Sequence, residues 1–239
     1  MRTSNKILLS IGVVLFIFII ISLISVRVGL DRAVEAGGGV ESYDKSFDGK
    51  MLTQSYDIED FSNVKITGGW SVSLREGEYM VNITFPEQFQ DKVKINSQGS
   101  VLSLDTTGLI DFRGSHFKAE IQMPRLEALT SQGGMTASLK GFEGDSLSIE
   151  SGGGVHLKAL DCTYNDLDLQ LSGGIQGDLD GLTADNIHIK GNGAVDLKIR
   201  MNGGTLSGEV NGAANIFING RVSQNTLKVQ GVSNVEYQN

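Results

Sequence analysis

SQGGM (131–135), SGGGV (151–155), LSGGI (171–175), GNGAV (191–195), NGAAN (211–215) and GVSNV (231–235) are six versions of one phrase, and their spacing decides the fold. The period is about 20 residues, the sign of a repeat architecture. The first glycine of each phrase falls at Gly133, Gly153, Gly173 and Gly193, and small residues extend this column at Ala213 and Ser233. Two positions on, Met135, Val155, Ile175, Val195 and Val235 form an apolar column, with Asn215 as its exception. A further pair of columns reads Leu147, Leu167, Ile187, Leu227 and Ile149, Leu169, Ile189, Val229.

Each unit holds two short alternating segments parted by turn residues, for example GVHLKAL then LDLQL. So short a crossover leaves no room for helices, so the units coil as an all-β solenoid with ~20-residue rungs. Rungs about 4.8 Å apart make six of them span roughly 29 Å. In this reading the glycines sit at sharp corners. Asp145, Asn165, Asp185 and Asn225, with Ser146, Asp166, Asn186 and Thr226 beside them, form a turn ladder. Near Thr205 the apolar residues Leu206 and Val210 fall one place off register, which predicts a local bulge at Glu209. The closing VEYQN is short and polar, as a terminal cap requires.

Upstream, alternation at Val64 and Ile66, Val72 and Leu74, and Val81 and Ile83 predicts strands beginning at Tyr56. Glu87 to Lys92 reads as a helical turn, Ser97-Gln98-Gly99-Ser100 as a hairpin connection, and Phe117 to Met123 as a strand ended by Pro124. Trp70 follows a Gly-Gly pair as Val155 does, so this half is expected to be a diverged copy of the repeat with one insertion.

Residues 1–6 carry Arg2 and Lys6, and an uncharged run from Ile7 to Val26 follows. Its length as a helix is roughly 30 Å, the thickness of a bilayer core. We assign 7–28 as a single transmembrane signal-anchor helix. A cleaved signal peptide is the competing reading, with small residues at Val34-Glu35-Ala36, but its apolar core would be shorter. Arg27 and Arg32 balance Arg2 and Lys6, and the free amino terminus tips the count toward a cytoplasmic head of residues 1–6. Residues 29–50, with Gly37, Gly38 and Gly39, read as a flexible linker, and 51–239 as the solenoid outside the cytoplasm, periplasmic or at the cell surface.

Among 239 residues, 31 Gly and only 2 Pro suit tight turns between uninterrupted strands. The formal charge of -8 and the lack of a basic stripe make nucleic acid a poor candidate partner. Cys162 stands alone, so neither an intrachain disulfide nor a thiolate cluster can form, and it reads as packing.

The phrases SGGG and LSGG, with FSNVKITGGWSVSLREGEYMVNITF, VKINSQGSVLSLDT and AEIQMPRLEALTSQGG, resemble the bacterial head GIN domain of autotransporter adhesin heads from Tyr56 to Tyr237. The resemblance implies a right-handed parallel β-helix outside the cytoplasm with no established enzymatic activity. The chain departs from the family's usual lipoprotein or secretory start in having an apolar run of transmembrane length.

His116, His156 and His188 do not share a column, which argues against a metal site. The turn ladder lacks the spacing of calcium-binding nonapeptides. Glu150, Asp161, Asp178 and Asp180 are the carboxylates a glycan-active enzyme would draw on, yet they fall in different columns. There is no P-loop, GxSxG or HExxH. No catalytic residue, metal ligand or cofactor is assigned. Phe112, Arg113, His116 and Phe117, in a segment interrupting the repeat, are the candidate contact loop; Tyr164 and Phe217 are further aromatic candidates. The expected function is a non-enzymatic, adhesin-like binding or scaffolding module at the envelope, its partner a polysaccharide or protein. A self-associating structural protein is the alternative, and a glycan-active enzyme a weaker one.

Overall fold

A computed structural model describes residues 49–106 and 116–238. The expected cytoplasmic head (1–6) and membrane segment (7–28), most of the expected linker, and Phe112 and Arg113 lie outside the described residues. Among the described residues no helix is long and apolar enough to cross a membrane.

The order is β1 (Met51–Tyr56), β2 (Asn63–Thr67), β3 (Trp70–Glu76), β4 (Met80–Pro86), a 3-10 turn Glu87–Lys92, β5 (Lys94–Gln98), β6 (Val101–Asp105), β7 (Lys118–Met123), β8 (Ala128–Gln132) and β9 (Met135–Lys140). There follow β10 (Glu143–Leu160), β11 (Cys162–Asn202), β12 (Thr205–Arg221), β13 (Gln224–Asn225) and β14 (Lys228–Gln238). The long strands wind round corners without losing their ladder, so β10 to β14 are parallel rungs in one sheet. The all-β solenoid is therefore present.

Alternation in sequence becomes alternation of burial. Leu147, Ile149, Val155 and Leu157 point inward and stack on Leu167, Leu169, Ile175 and Gly177 of the next rung. Gly177 is a packing device: a β-carbon there would lie 2.6 Å from Cδ2 of Leu197, so a missing side chain makes room for a large one. Ser131 and Ser151 also stack inside, and their hydroxyls have no hydrogen-bond partner. Tyr164 is buried, donates its hydroxyl to the Leu126 carbonyl at 2.9 Å, and burial pushes its phenol well above the usual range.

Register corrects the reading of the last rungs. Spacing is 20 between Asp166 and Asn186 but 19 between Asp196 and Asn215. The glycine column therefore continues at Gly212 and Gly231, not Ala213 and Ser233, and Ala214 rather than Asn215 stands over Val195. Val235 belongs over Ile216, Val229 over Val210, and Asn225 over Leu206. There is no bulge at Glu209, because pairing from Ile187↔Leu206 to Asn202↔Arg221 is unbroken. The missing residue is absorbed at Gly203-Gly204, both with positive φ, which turn the corner tightly beside Asp185.

The first half contains two rungs of the same kind, in an order the sequence hides. β2 and β3 stack on β8 and β9, with Val64↔Leu129 and Trp70↔Met135, so the likeness of Trp70 to Val155 is real. On their other side lie β6 and β7, which come later in the chain. The antiparallel pairing of β1 and β4 was not foreseen, whereas the hairpin expected at 97–100 is present. β4 runs against β7 and β1 against β4, while β5 folds back on β6 with Gln98↔Val101, a connection of Gly99 and Ser100 alone. Tyr56 ends β1 rather than starting the sheet.

Candidate functional site

At each Gly-Gly corner the backbone steps inward. Gly153, Gly173 and Gly193 have φ between 113° and 149°, and a β-carbon on any of them would collide with the carbonyl of the glycine one rung back. This first glycine is demanded by the fold. The corners stack, so the steps align into a furrow of about 1260 Å³ along the solenoid.

Its floor is the apolar column Trp70, Met135, Val155, Ile175, Val195 and Ala214. One lip is the column of exposed small residues Gly134, Gly154, Gly174, Ala194 and Ala213, ending in Val232. The other carries Thr136, His156, Gln176, Asp196, Asn215 and Asn234, a polar group on every rung. Asn215 donates to Asp196 at 3.1 Å and Asn234 to Asn215 at 3.2 Å, which sets the far end of that lip as a ladder. No lysine or arginine lines the furrow among the described residues. Sequence reading took the glycines for architecture alone. The signal it passed over was that each corner needs one glycine and most have two.

The other candidates fall elsewhere. Phe117 is 2% exposed, packed against Trp70 and Phe89 with ring centroids 5.5 and 6.1 Å away, so it anchors its segment inside; His116 is half-buried beside it. Tyr164 is core and Phe217 half-buried. Asp161 holds a corner at φ 54°, Asp178 stacks on Lys158 and Glu150 on Gln170. Burial alone would raise the Asp180 carboxyl, but hydrogen bonds from Asn219 and Arg200 and the Arg200 charge outweigh it and hold it below the usual range. Buried Cys162 donates its thiol to the Leu160 carbonyl, and desolvation raises its pKa. Asp145 and Asn165, and Asp166 and Asn186, do ladder between rungs. Among the described residues no three His, Cys, Asp or Glu side chains group as a metal site.

One column does line up the residue types of a nucleophilic triad. His188 Nδ1 lies 3.0 Å from Ser207 Oγ, and Asp168 is one rung below. The carboxylate does not orient the imidazole: Oδ1 has no hydrogen-bond partner, and Oδ2 accepts from Gln170.

The chain matches no curated protein. Its fold is similar to that of "a putative adhesin" from Bacteroides fragilis, with TM-score 0.59 and 16% identity over 79% of this chain and 97% of that one. It is also similar to a "putative lipid binding protein" from Parabacteroides distasonis, with TM-score 0.52 and 12% identity over 80% and 98%. With the family model matching residues 60–182 and again 163–239, the chain belongs to the family described as "Putative auto-transporter adhesin, head GIN domain".

Proposed function

We propose that the protein is a non-enzymatic binding module of the cell envelope that lays an extended, uncharged polymer, an envelope polysaccharide, along the furrow. In this proposal residues 7–28 tether it to the membrane, residues 29–50 hold the solenoid clear of the lipid, and Phe112, Arg113 and His116 add a contact.

The observation that carries the reading is the second glycine of each pair. Gly134, Gly154 and Gly174 have no positive φ, and a β-carbon on any of them would meet nothing within 4 Å. Glycine in a strand weakens it, so the fold gains nothing from these three. An open furrow does. The lining suits a sugar chain, whose apolar C–H faces match the floor and whose hydroxyls match the ladder of Thr136, His156, Gln176, Asp196, Asn215 and Asn234.

The test is binding of the full chain to immobilised envelope polysaccharide fractions, with Gly154→Trp and Gly174→Trp together as the furrow-filling variant. Binding by the native chain, lost in the variant at an unchanged melting temperature, is the expected result. Undiminished binding by the variant would place the site elsewhere. A second reading, an acyl chain on the apolar floor, is favoured by the absence of charge there and by the name of the Parabacteroides distasonis structure. Competition by neutral lipid vesicles, but not by polysaccharide, would select it.

A further inference from the structure

The two ends of the solenoid are finished differently. At the amino-terminal end the outermost strands are β1 and β5, of 6 and 5 residues, both antiparallel to the strands they cover. Short, reversed edges of this kind discourage further pairing. At the other end β14 runs for 11 residues and pairs only with β12, so among the described residues its outer ladder is open. Val232, at its corner, is 84% exposed, and Tyr237 is 49% exposed. Leu227, Val229 and Val235 close the core there only partly.

We propose that β14 is a homodimer interface, on which a second copy docks end to end and antiparallel about a twofold axis through Val232. The sequence of the strand, KVQGVSNVEYQ, is self-complementary in that one register. Lys228 faces Glu236 of the second copy, Val229 faces Val235, Gln230 faces Asn234, and Val232 faces itself. Leu227 faces Tyr237. Charge meets opposite charge twice, once on each side of the axis, and every other pair matches in polarity.

The register also respects inside and outside. Val229 and Val235 both pack toward the core, whereas Lys228, Asn234 and Glu236 point to solvent. An axis bisecting the corner at Gly231 and Val232 exchanges the two arms of the rung while keeping interior over interior. The two cores join, and the most exposed large apolar side chain is covered by its own copy. Because the opposite end is closed by antiparallel strands, pairing stops at two chains and gives a closed, isologous assembly rather than a filament. The furrow runs off this end at Val232 and Asn234, so in the dimer the two furrows meet at the shared Val232 corner, on opposite sides of the axis.

Sedimentation of the full chain in detergent, with Val232→Cys, Lys228→Glu and Glu236→Lys variants, tests this. The native chain should show a monomer–dimer equilibrium. Mild oxidation should link Val232→Cys chains to themselves, while the native chain, with Cys162 buried, stays unlinked. Either charge reversal alone places like charges opposite each other twice and should weaken dimerisation about tenfold. The double reversal restores opposite pairs and should recover it, which a merely misfolded variant would not do. A chain that stays monomeric, a Val232→Cys chain that stays reduced, or a dimer indifferent to both reversals would overturn the proposal.

Discussion

Asn219 donates a 2.6 Å hydrogen bond to Oδ1 of Asp180, a carboxylate 39 positions earlier, while Arg200 reaches Oδ2 at 2.9 Å from between them. One carboxylate thus ties three successive rungs on the outer face, and its partners hold its pKa below the ordinary aspartate range.

A depressed carboxyl stabilises the fold above the unfolded-state pKa and loses that contribution as pH falls through the folded one. Asp180→Asn should therefore lower the urea midpoint at neutral pH. Its difference from the native chain should shrink below about pH 4 and vanish in stronger acid. A difference that is constant from neutral to acid pH would show that the charge is not what matters.

The paired glycines should respond oppositely. Gly173 sits at φ 113° over the Gly153 carbonyl, so Gly173→Ala should cost more than about 1 kcal/mol. Gly174, one residue later, has open space and ordinary φ, so Gly174→Ala should be neutral or gain up to about 1 kcal/mol. Urea denaturation of the two single variants makes the comparison.

Leu157, Gly177 and Leu197 share an interior column, and the middle position is empty because Leu197 fills it. Gly177→Leu should destabilise by about 1–3 kcal/mol through overpacking. Adding Leu197→Gly should return part of that loss, so a double-mutant cycle reads a positive coupling. Additive effects would mean that the two sites do not share space.

Ser131 and Ser151 bury hydroxyls that find no partner. Replacing both with Ala removes two unsatisfied groups and should raise stability by about 1 kcal/mol or more. A fall in melting temperature would show that the hydroxyls are satisfied in solution.

Tyr164 should behave in the reverse manner. Tyr164→Phe leaves the Leu126 carbonyl unpaired in the core and should cost about 1–3 kcal/mol. Because burial raises its phenol, the contribution is complete below the unfolded tyrosine pKa and fades as pH rises above it. Alkaline titration of phenolate absorbance should show one tyrosine ionising only with unfolding.

The solenoid was legible from Gly133 to Val195 because each rung there repeats at one spacing, so glycine and aliphatic columns reinforce one another. Beyond Val195 the same columns misled. Ala213 and Ala214 are both small, so a one-residue shortening at Gly203-Gly204 left a plausible but false alignment through Ala213 and Ser233. Asn215, out of place in an apolar column, was the trace of that shift. The antiparallel strands β1 and β4 were hidden for another reason: alternation reports which face of a strand is buried, and says nothing of the direction in which its neighbour runs. The reversal of β5 against β6 was legible, because a short turn at 97–100 marks it. The furrow was missed because glycine is expected at corners, and only coordinates separate a glycine with a clash from one without.

Since β6 and β7 underlie β2 and β3, and β8 and β9 overlie them, the earliest rung in the chain lies between two that are made after it. An emerging chain therefore cannot lay its rungs down in order of synthesis. β2 and β3 lack any complete neighbour until Met123 has appeared, and some 70 residues must be made before Lys140 completes the second. From Glu143 onward each rung needs only the one before it, so winding becomes sequential and local. Slow assembly should belong to the amino-terminal end alone, and a folding helper, if one acts, would find its exposed apolar client there.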